Sequence, residues 1–205
     1  MHSDHNEELY VVLNDGRFQL CTPNAIYSFA DKYDNFRESF QRLRLDDSGI
    51  SKVLLLGFGL GSIPYMLEKT FGKKYTYTGV EIDDAVIYLA SKYVLDELRS
   101  DIELVRADAY AYIMQTSVRY DMICIDIFVD DKIPDIFLTQ DFLTAVQESL
   151  SSSGILLFNH LAHNDNDIKA AKNYFKTIFL KNFPQGNALN VSKNIIMLND
   201  SAWIK

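Results

Sequence analysis

Hydrophobic and polar positions change their rhythm twice along this chain. Residues 9–21 form two apolar-rich runs on either side of Asn14-Asp15-Gly16. Asp-Gly between such runs predicts a tight hairpin, because both residues tolerate the positive φ a two-residue turn demands. Across residues 29–45, Phe29, Tyr33, Phe36, Phe40 and Leu43 recur at three- and four-residue spacings. That period predicts one amphipathic helix whose aromatic stripe packs against the rest of the protein rather than forming a substrate cage. The polar stretch Asp46-Asp47-Ser48-Gly49 then marks a boundary.

From Lys52 onward, short apolar runs alternate with helical periods. Residues 53–58 are continuously apolar and end in glycines, which predicts a strand buried on both faces. Residues 62–71 read as a helix, 75–82 as a second strand and 84–95 as a helix with Val86, Ile87, Ala90, Tyr93 and Val94 on one face. Further strands are expected at 102–105, 120–128 and 154–159, with a short helix at 109–114. Thr139 can cap a helix that buries Phe142, Leu143, Val146 and Leu150, and another helix surrounds Ile168, Ala171, Phe175, Ile178 and Phe179. Residues 188–191 and 194–198 form a final strand pair turning at Ser192-Lys193. Alternating β and α elements predict a mostly parallel sheet covered on both faces, and the tight terminal pair must add an antiparallel strand. The expected division is an appendage over 1–50 and a main α/β domain over 51–205.

Composition narrows the class. The chain has 205 residues, 48% of them hydrophobic, with a formal charge of -8, and its pI is near 4.9. The acidic balance argues against nucleic acid or an anionic membrane as partner and fits a small neutral or cationic substrate better. No apolar run approaches the roughly 18 residues a membrane helix needs. Cys21 and Cys124 are the two cysteines, read as reduced thiols, and the polar residues 1–8 do not resemble a signal peptide. The expected location is the cytoplasm.

The sharpest chemical signal is Leu54-Leu55-Leu56-Gly57-Phe58-Gly59-Leu60-Gly61-Ser62, a strand, a glycine turn and a helix start. Gly57, Gly59 and Gly61 let the chain turn and let a ligand approach the backbone, and the helix behind offers free N–H groups. Glu81 follows about twenty residues on at the end of the second strand, where a carboxylate can accept from both ribose hydroxyls. Either a dinucleotide or a nucleoside thioether would suit these features. Asp108, beside Ala109 and just after the third strand, can accept from an adenine amino group or cap the next helix. Asp126 ends a strongly apolar strand, so it needs a partner. Loops after successive parallel strands converge on one crevice, so Glu81, Asp108 and Asp126 should face the same ligand. His160 and His163 follow the fifth strand and read as solvated loop residues, with a general-base role as the alternative. No metal site is expected. Asp130-Asp131 fit a substrate-facing loop or a solvated turn equally.

Taken together, Gly57-Phe58-Gly59-Leu60-Gly61, Gly79-Val80-Glu81-Ile82-Asp83, Ala107-Asp108-Ala109 and Asp126 resemble the successive motifs of class I S-adenosylmethionine (SAM)-dependent methyltransferases. Residues 120–126, Phe137-Leu138-Thr139-Gln140-Asp141-Phe142 and the hairpin Leu13-Asn14-Asp15-Gly16-Arg17-Phe18-Gln19-Leu20 are similar to the spermidine-synthase-like branch, the polyamine aminopropyltransferases. The resemblance spans about residues 9–198. It implies a Rossmann-like α/β fold, a mostly parallel seven-stranded sheet with a reversed last strand, preceded by a short N-terminal β-hairpin and helix. It also implies an adenosyl donor and, for Gln19, a lid contact.

Three departures bear on function. The resembled branch carries an acid-rich segment where this chain has Asn24, Ala25, Ile26, Tyr27, Ser28, Phe29 and Ala30, and an acid where it has Leu60. Its acidic loop becomes Asp126-Ile127-Phe128-Val129-Asp130, with the second acid displaced by one position. Each charge-assisted hydrogen bond lost to an ammonium is worth about 1.5–3 kcal/mol. The expectation is therefore transfer of a group from SAM, or a SAM-derived thioether, to a small-molecule acceptor, with methyl transfer favoured. Asp126 would meet the donor's amino-acid end or the acceptor amine. The alternatives are a polyamine aminopropyltransferase using decarboxylated SAM and a non-catalytic adenosyl-nucleoside-binding module. A dinucleotide oxidoreductase ranks lower, and homodimerisation is left open.

Overall fold

The computed structural model describes residues 1–6, 8–23, 26–46, 49–129 and 132–205. Strands β1 (Tyr10–Asn14), β2 (Arg17–Cys21) and β3 (Ile26–Ser28) form a small antiparallel sheet. Asp15 and Gly16 both have positive φ, 49° and 71°, as the two-residue turn requires. Helix α1 (Asp34–Arg42) follows.

The chain then enters the main sheet through β4 (Lys52–Leu56), α2 (Ser62–Lys69), β5 (Thr76–Glu81), α3 (Asp84–Tyr93), β6 (Asp101–Arg106), α4 (Ala109–Gln115) and β7 (Tyr120–Ile125). It continues through α5 (Gln140–Ser149), β8 (Leu150–Leu161), α6 (Asp165–Tyr174), a π-helical turn (Phe175–Phe179), α7 (Leu180–Asn182), β9 (Asn187–Val191) and β10 (Asn194–Leu198). Seven strands pair in the order β6-β5-β4-β7-β8-β10-β9. The first five are parallel, and β10 runs antiparallel to both β8 and β9. This is the expected α/β sheet with a reversed last strand.

Strand β4 shows why its sequence is apolar at every position. Val53 and Leu55 face a core shared with α1, α2 and α3, while Leu54 and Leu56 face a second core with α4, α5 and α6. Strand order reverses beside β4, since β5 and β6 lie on one side and β7 and β8 on the other. Loops that leave neighbouring strand ends in opposite directions open a crevice at that point.

Three elements differ from the sequence reading. The single helix expected over 29–45 is broken: residues 30–32 form a 3-10 turn with Ala30 at φ 45°, and α1 starts only at Asp34. Ser62 holds the break in place, because its Oγ accepts from the Phe29 amide at 2.8 Å and pairs with the Ser28 hydroxyl at 2.6 Å. The fifth strand runs over Leu150–Leu161 rather than 154–159, since β10 continues to pair along it as far as Leu161. The short strand β3 was not anticipated, because its alternation is only three residues long. Thr139 does cap α5, accepting from the Phe142 amide. Cys21 and Cys124 are both buried free thiols. No helix of the described residues is long and apolar enough to cross a membrane.

Candidate functional site

The crevice at the switch point has a volume of about 1070 Å³, at the upper end of ordinary ligand pockets. Gly57, Gly59, Glu81, Asp108, Ala109 and Asp126 all line it, so the motifs spread over seventy residues of sequence do meet. Its wall is acidic: Asp4, Asp34, Glu81, Asp83, Asp108 and Asp126 stand against Lys32 and Lys193 among the described residues. Lys32 is already paired with Asp15 at 2.6 Å.

The glycine turn is shaped first by the protein's own packing. A Cβ on Gly57 would lie 2.2 Å from the Asp126 carbonyl oxygen, and one on Gly59 would press at 3.3 Å on Ser28 Cβ from β3. Gly61, at φ 78°, is the residue before α2 and sits under the Phe58 ring. It does not line the crevice, which corrects its expected role in ligand approach. Its positive φ and the ring above it explain the glycine instead.

Glu81 closes β5, and its carboxylate gathers four backbone amides. Oε2 accepts from Phe58 and Gly59, each at 3.2 Å, and Oε1 accepts from Ile82 at 3.0 Å and Asp83 at 3.2 Å. Burial nonetheless pushes its carboxyl above the ordinary value, outweighing those four donors. The side chain thus ties the glycine turn to the end of β5 while facing the crevice. Asp83, 1% exposed, caps α3 through the Ala85 amide and also accepts from Ser3 Oγ at 2.5 Å and Asn6 Nδ2 at 2.7 Å. Asn6 accepts in turn from the Tyr27 hydroxyl at 3.1 Å. The N-terminal residues are therefore latched across the crevice edge, a feature their polar sequence did not signal. Asp108 caps α4 through the Ala111 amide at 2.8 Å, and it also lines the crevice.

Asp126 follows β7 and has the partners its apolar setting demands. Oδ1 accepts from Asn159 Nδ2 at 2.8 Å, and the Tyr33 phenol lies near enough to favour the ionised form of the same carboxylate. Asn159 Oδ1 accepts from Asn194 Nδ2 at 2.8 Å, which extends the network onto β10. Desolvation raises the Asp126 carboxyl to about 6, with the Asn159 amide and the nearby Tyr33 phenol opposing. Tyr33, read from its spacing as a packing residue, is the site residue the sequence reading missed. Helical periodicity cannot distinguish a ring that packs from one whose hydroxyl reaches a carboxylate.

Other expectations are corrected. Gln19 is buried in β2, where its Oε1 accepts from Asn14 at 3.3 Å, and it does not line the crevice. A hairpin side chain bonded across its own strands is not available as a lid. His160 is no solvated loop residue but a β8 residue 5% exposed, between Phe158 and Tyr174 with ring centroids at 4.4 and 5.0 Å. Its Nε2 has no hydrogen-bond partner among the described residues, and burial pushes the imidazole down to about 3. His163 is exposed and lines the crevice. Asn24, Ala25, Asp130 and Asp131 lie outside the described residues.

No protein-family model matches the chain. A polyamine aminopropyltransferase from Vibrio vulnificus is 28% identical over 98% of this chain and 69% of its own length. A probable polyamine aminopropyl transferase from Bifidobacterium longum is 34% identical over 109 residues, 53% of this chain and 24% of that protein. A probable spermidine synthase from Corynebacterium glutamicum superposes with a TM-score of 0.77 over 97% of this chain and 78% of its own, at 14% identity. The sheet order, the glycine turn before α2 and these likenesses agree: the chain carries the spermidine-synthase-like class I methyltransferase fold.

Proposed function

We propose that this protein is an aminopropyltransferase, taking the aminopropyl group of decarboxylated SAM and passing it to an amine. The observation that carries this reading is the half-buried Asp126 carboxylate, bonded to Asn159 and faced by the Tyr33 phenol in an acidic crevice beside the glycine turn. The names of the two relatives support the same chemistry and reverse the order expected from the sequence, where methyl transfer ranked first. In the reaction the amine lone pair attacks the carbon beside the sulfonium, the C–S bond breaks, methylthioadenosine leaves, and the new ammonium loses a proton. Asp126, with its carboxyl raised to about 6, is basic enough to hold that ammonium or receive its proton near neutrality. Glu81 would meet the ribose, Asp108 the adenine, and Gly57, Gly59 and Ala109 the crevice floor. The rest of the catalysis is placement of donor and acceptor in line.

One observation favours methyl transfer from intact SAM instead. Leu60, in place of the acid of the resembled signature, is 1% exposed and packed in the core. No carboxylate from that turn can oppose the carboxylate of SAM. The deciding experiment offers SAM and decarboxylated SAM in competition, with a panel of amines as acceptors. Methylthioadenosine formed from the decarboxylated donor supports aminopropyl transfer. S-adenosylhomocysteine from SAM alone supports the second reading. Binding of adenosyl thioethers without turnover of any acceptor removes both.

A further inference from the structure

We infer that Asn194 is a positioning residue for this site: through the amide of Asn159 it fixes the proton that Asp126 accepts. Asn194 opens β10, just after the turn in which Ser192 has φ 47°. Ile196 is the register partner of Asn159 across the antiparallel pair, so Asn194 is the diagonal neighbour on the same face. That placement brings its Nδ2 to 2.8 Å from Asn159 Oδ1.

The direction of this chain of bonds follows from what each group can do. An ionised carboxylate only accepts, so Asn159 must turn its NH₂ toward Asp126, as it does at 2.8 Å. Its carbonyl oxygen then needs a donor of its own. Asn159 is 1% exposed, so bulk water does not supply one, and Asn194 does. Without that donor the amide can rotate by half a turn and present its oxygen to Asp126. A carbonyl facing a carboxylate repels the ionised form and welcomes the protonated one. Asn194 thereby selects the amide orientation in which Asp126 is a base.

Few other groups could produce the same effect. Among the described residues, Asp126 is faced by the Tyr33 phenol from the segment before α1 and by the Cys124 thiol from its own strand. Both are pushed well above their ordinary values, with burial as the largest cause, and stay uncharged at neutral pH. Strand β4 contributes only the Leu56 carbonyl, which accepts from the Asp126 amide. The amide bond is thus the contact from β8 that distinguishes the two forms of the acid.

Assigning a catalytic consequence rests on the proposed function, so the primary readout does not use turnover. Carboxyl carbon NMR on aspartate-labelled protein, with Asp126→Asn to identify the resonance, follows the ionisation directly. The wild type should titrate near 6. Asn194→Leu, similar in shape and without a donor, should raise that midpoint by about one pH unit, a tenfold change in the ionisation constant. Asn194→Gln, which restores a donor, should return most of the shift. If Asn194→Leu does not fold, Asn194→Ala serves in its place. An Asp126 midpoint unchanged in the donor-less variant, or equally raised in Asn194→Gln, overturns the inference. If an amine is turned over, the acid limb of the rate profile should move with the NMR midpoint. Absence of turnover with the midpoint shifted would refute the proposed function and leave the role of Asn194 standing.

Discussion

Gly57 and Asp126 meet backbone to backbone: a side chain on the glycine would begin 2.2 Å from the aspartate's carbonyl oxygen, inside any van der Waals contact. The Asp126 amide also donates to Leu56 at 2.8 Å, so the turn after β4 and the end of β7 are one packed unit. The residue proposed to meet the ligand and the residue proposed to do chemistry are positioned by the same contact.

Substituting alanine at Gly57 (φ 84°) should therefore destabilise the fold by at least about 3 kcal/mol and displace Asp126. Gly72 is the control, having φ 65° with nothing within 4 Å of its would-be Cβ. Gly72→Ala should cost only the left-handed backbone penalty, about 1–2 kcal/mol. Chemical denaturation of the two variants measures the contrast, and equal losses would refute the packing argument.

The half-buried Asp126 carboxyl, raised to about 6 by desolvation, penalises the ionised native state. The unfolded chain ionises near 3.8, so the native state binds more protons between these values and stability falls as pH rises through the window. Asp126→Asn should melt higher than the wild type at pH 8, by up to about 3 kcal/mol, with the advantage fading toward pH 4. The same variant should lose the proposed turnover. Calorimetric melting at both pH values tests it, and an Asn variant no more stable at pH 8 than at pH 4, relative to wild type, counts against an ionised Asp126.

His160 has the opposite sign. Burial lowers it from 6.5 to about 3, so the unfolded chain binds the extra proton first and stability is lost as pH falls across that range. The full window is worth on the order of 5 kcal/mol. His160→Leu, which also removes the unpartnered Nε2, should flatten this acid limb. Urea midpoints at pH 7 and 4.5 for both proteins give the comparison. Parallel acid losses would mean that another group sets them.

The latch on Asp83 predicts a local effect. Asn6→Ala removes both the bond to Asp83 and the acceptor of the Tyr27 hydroxyl. Amide exchange in residues 1–6 should speed up roughly tenfold, while the main sheet keeps its protection. Exchange unchanged in that segment would show that Ser3 and the Met1–Leu9 backbone pair secure it without Asn6.

Much of this architecture was written locally. The Asp15-Gly16 hairpin, the doubly buried β4, the Thr139 and Asp108 caps and the reversed terminal pair all follow from patterns within a few residues. Turn chemistry and strand alternation act at short range, and periodicity reports them directly. Of the crevice, Gly57, Gly59, Glu81, Asp108 and Asp126 were legible because parallel strands deliver their C-terminal ends to one edge.

What the sequence could not determine depends on contacts between distant elements. Tyr33 has the spacing of a packing residue, yet its phenol faces an acid more than ninety positions away. Asn194 reaches Asn159 only because β10 inserts between β8 and β9, and His160 is buried because that same pairing prolongs β8. Ala30 leaves the helical region because Ser62, thirty-two residues on, binds the backbone beside it. In each case the local pattern allowed more than one conformation, and contacts between elements distant in the sequence chose between them, since strand pairing and burial are settled only when the whole sheet is assembled.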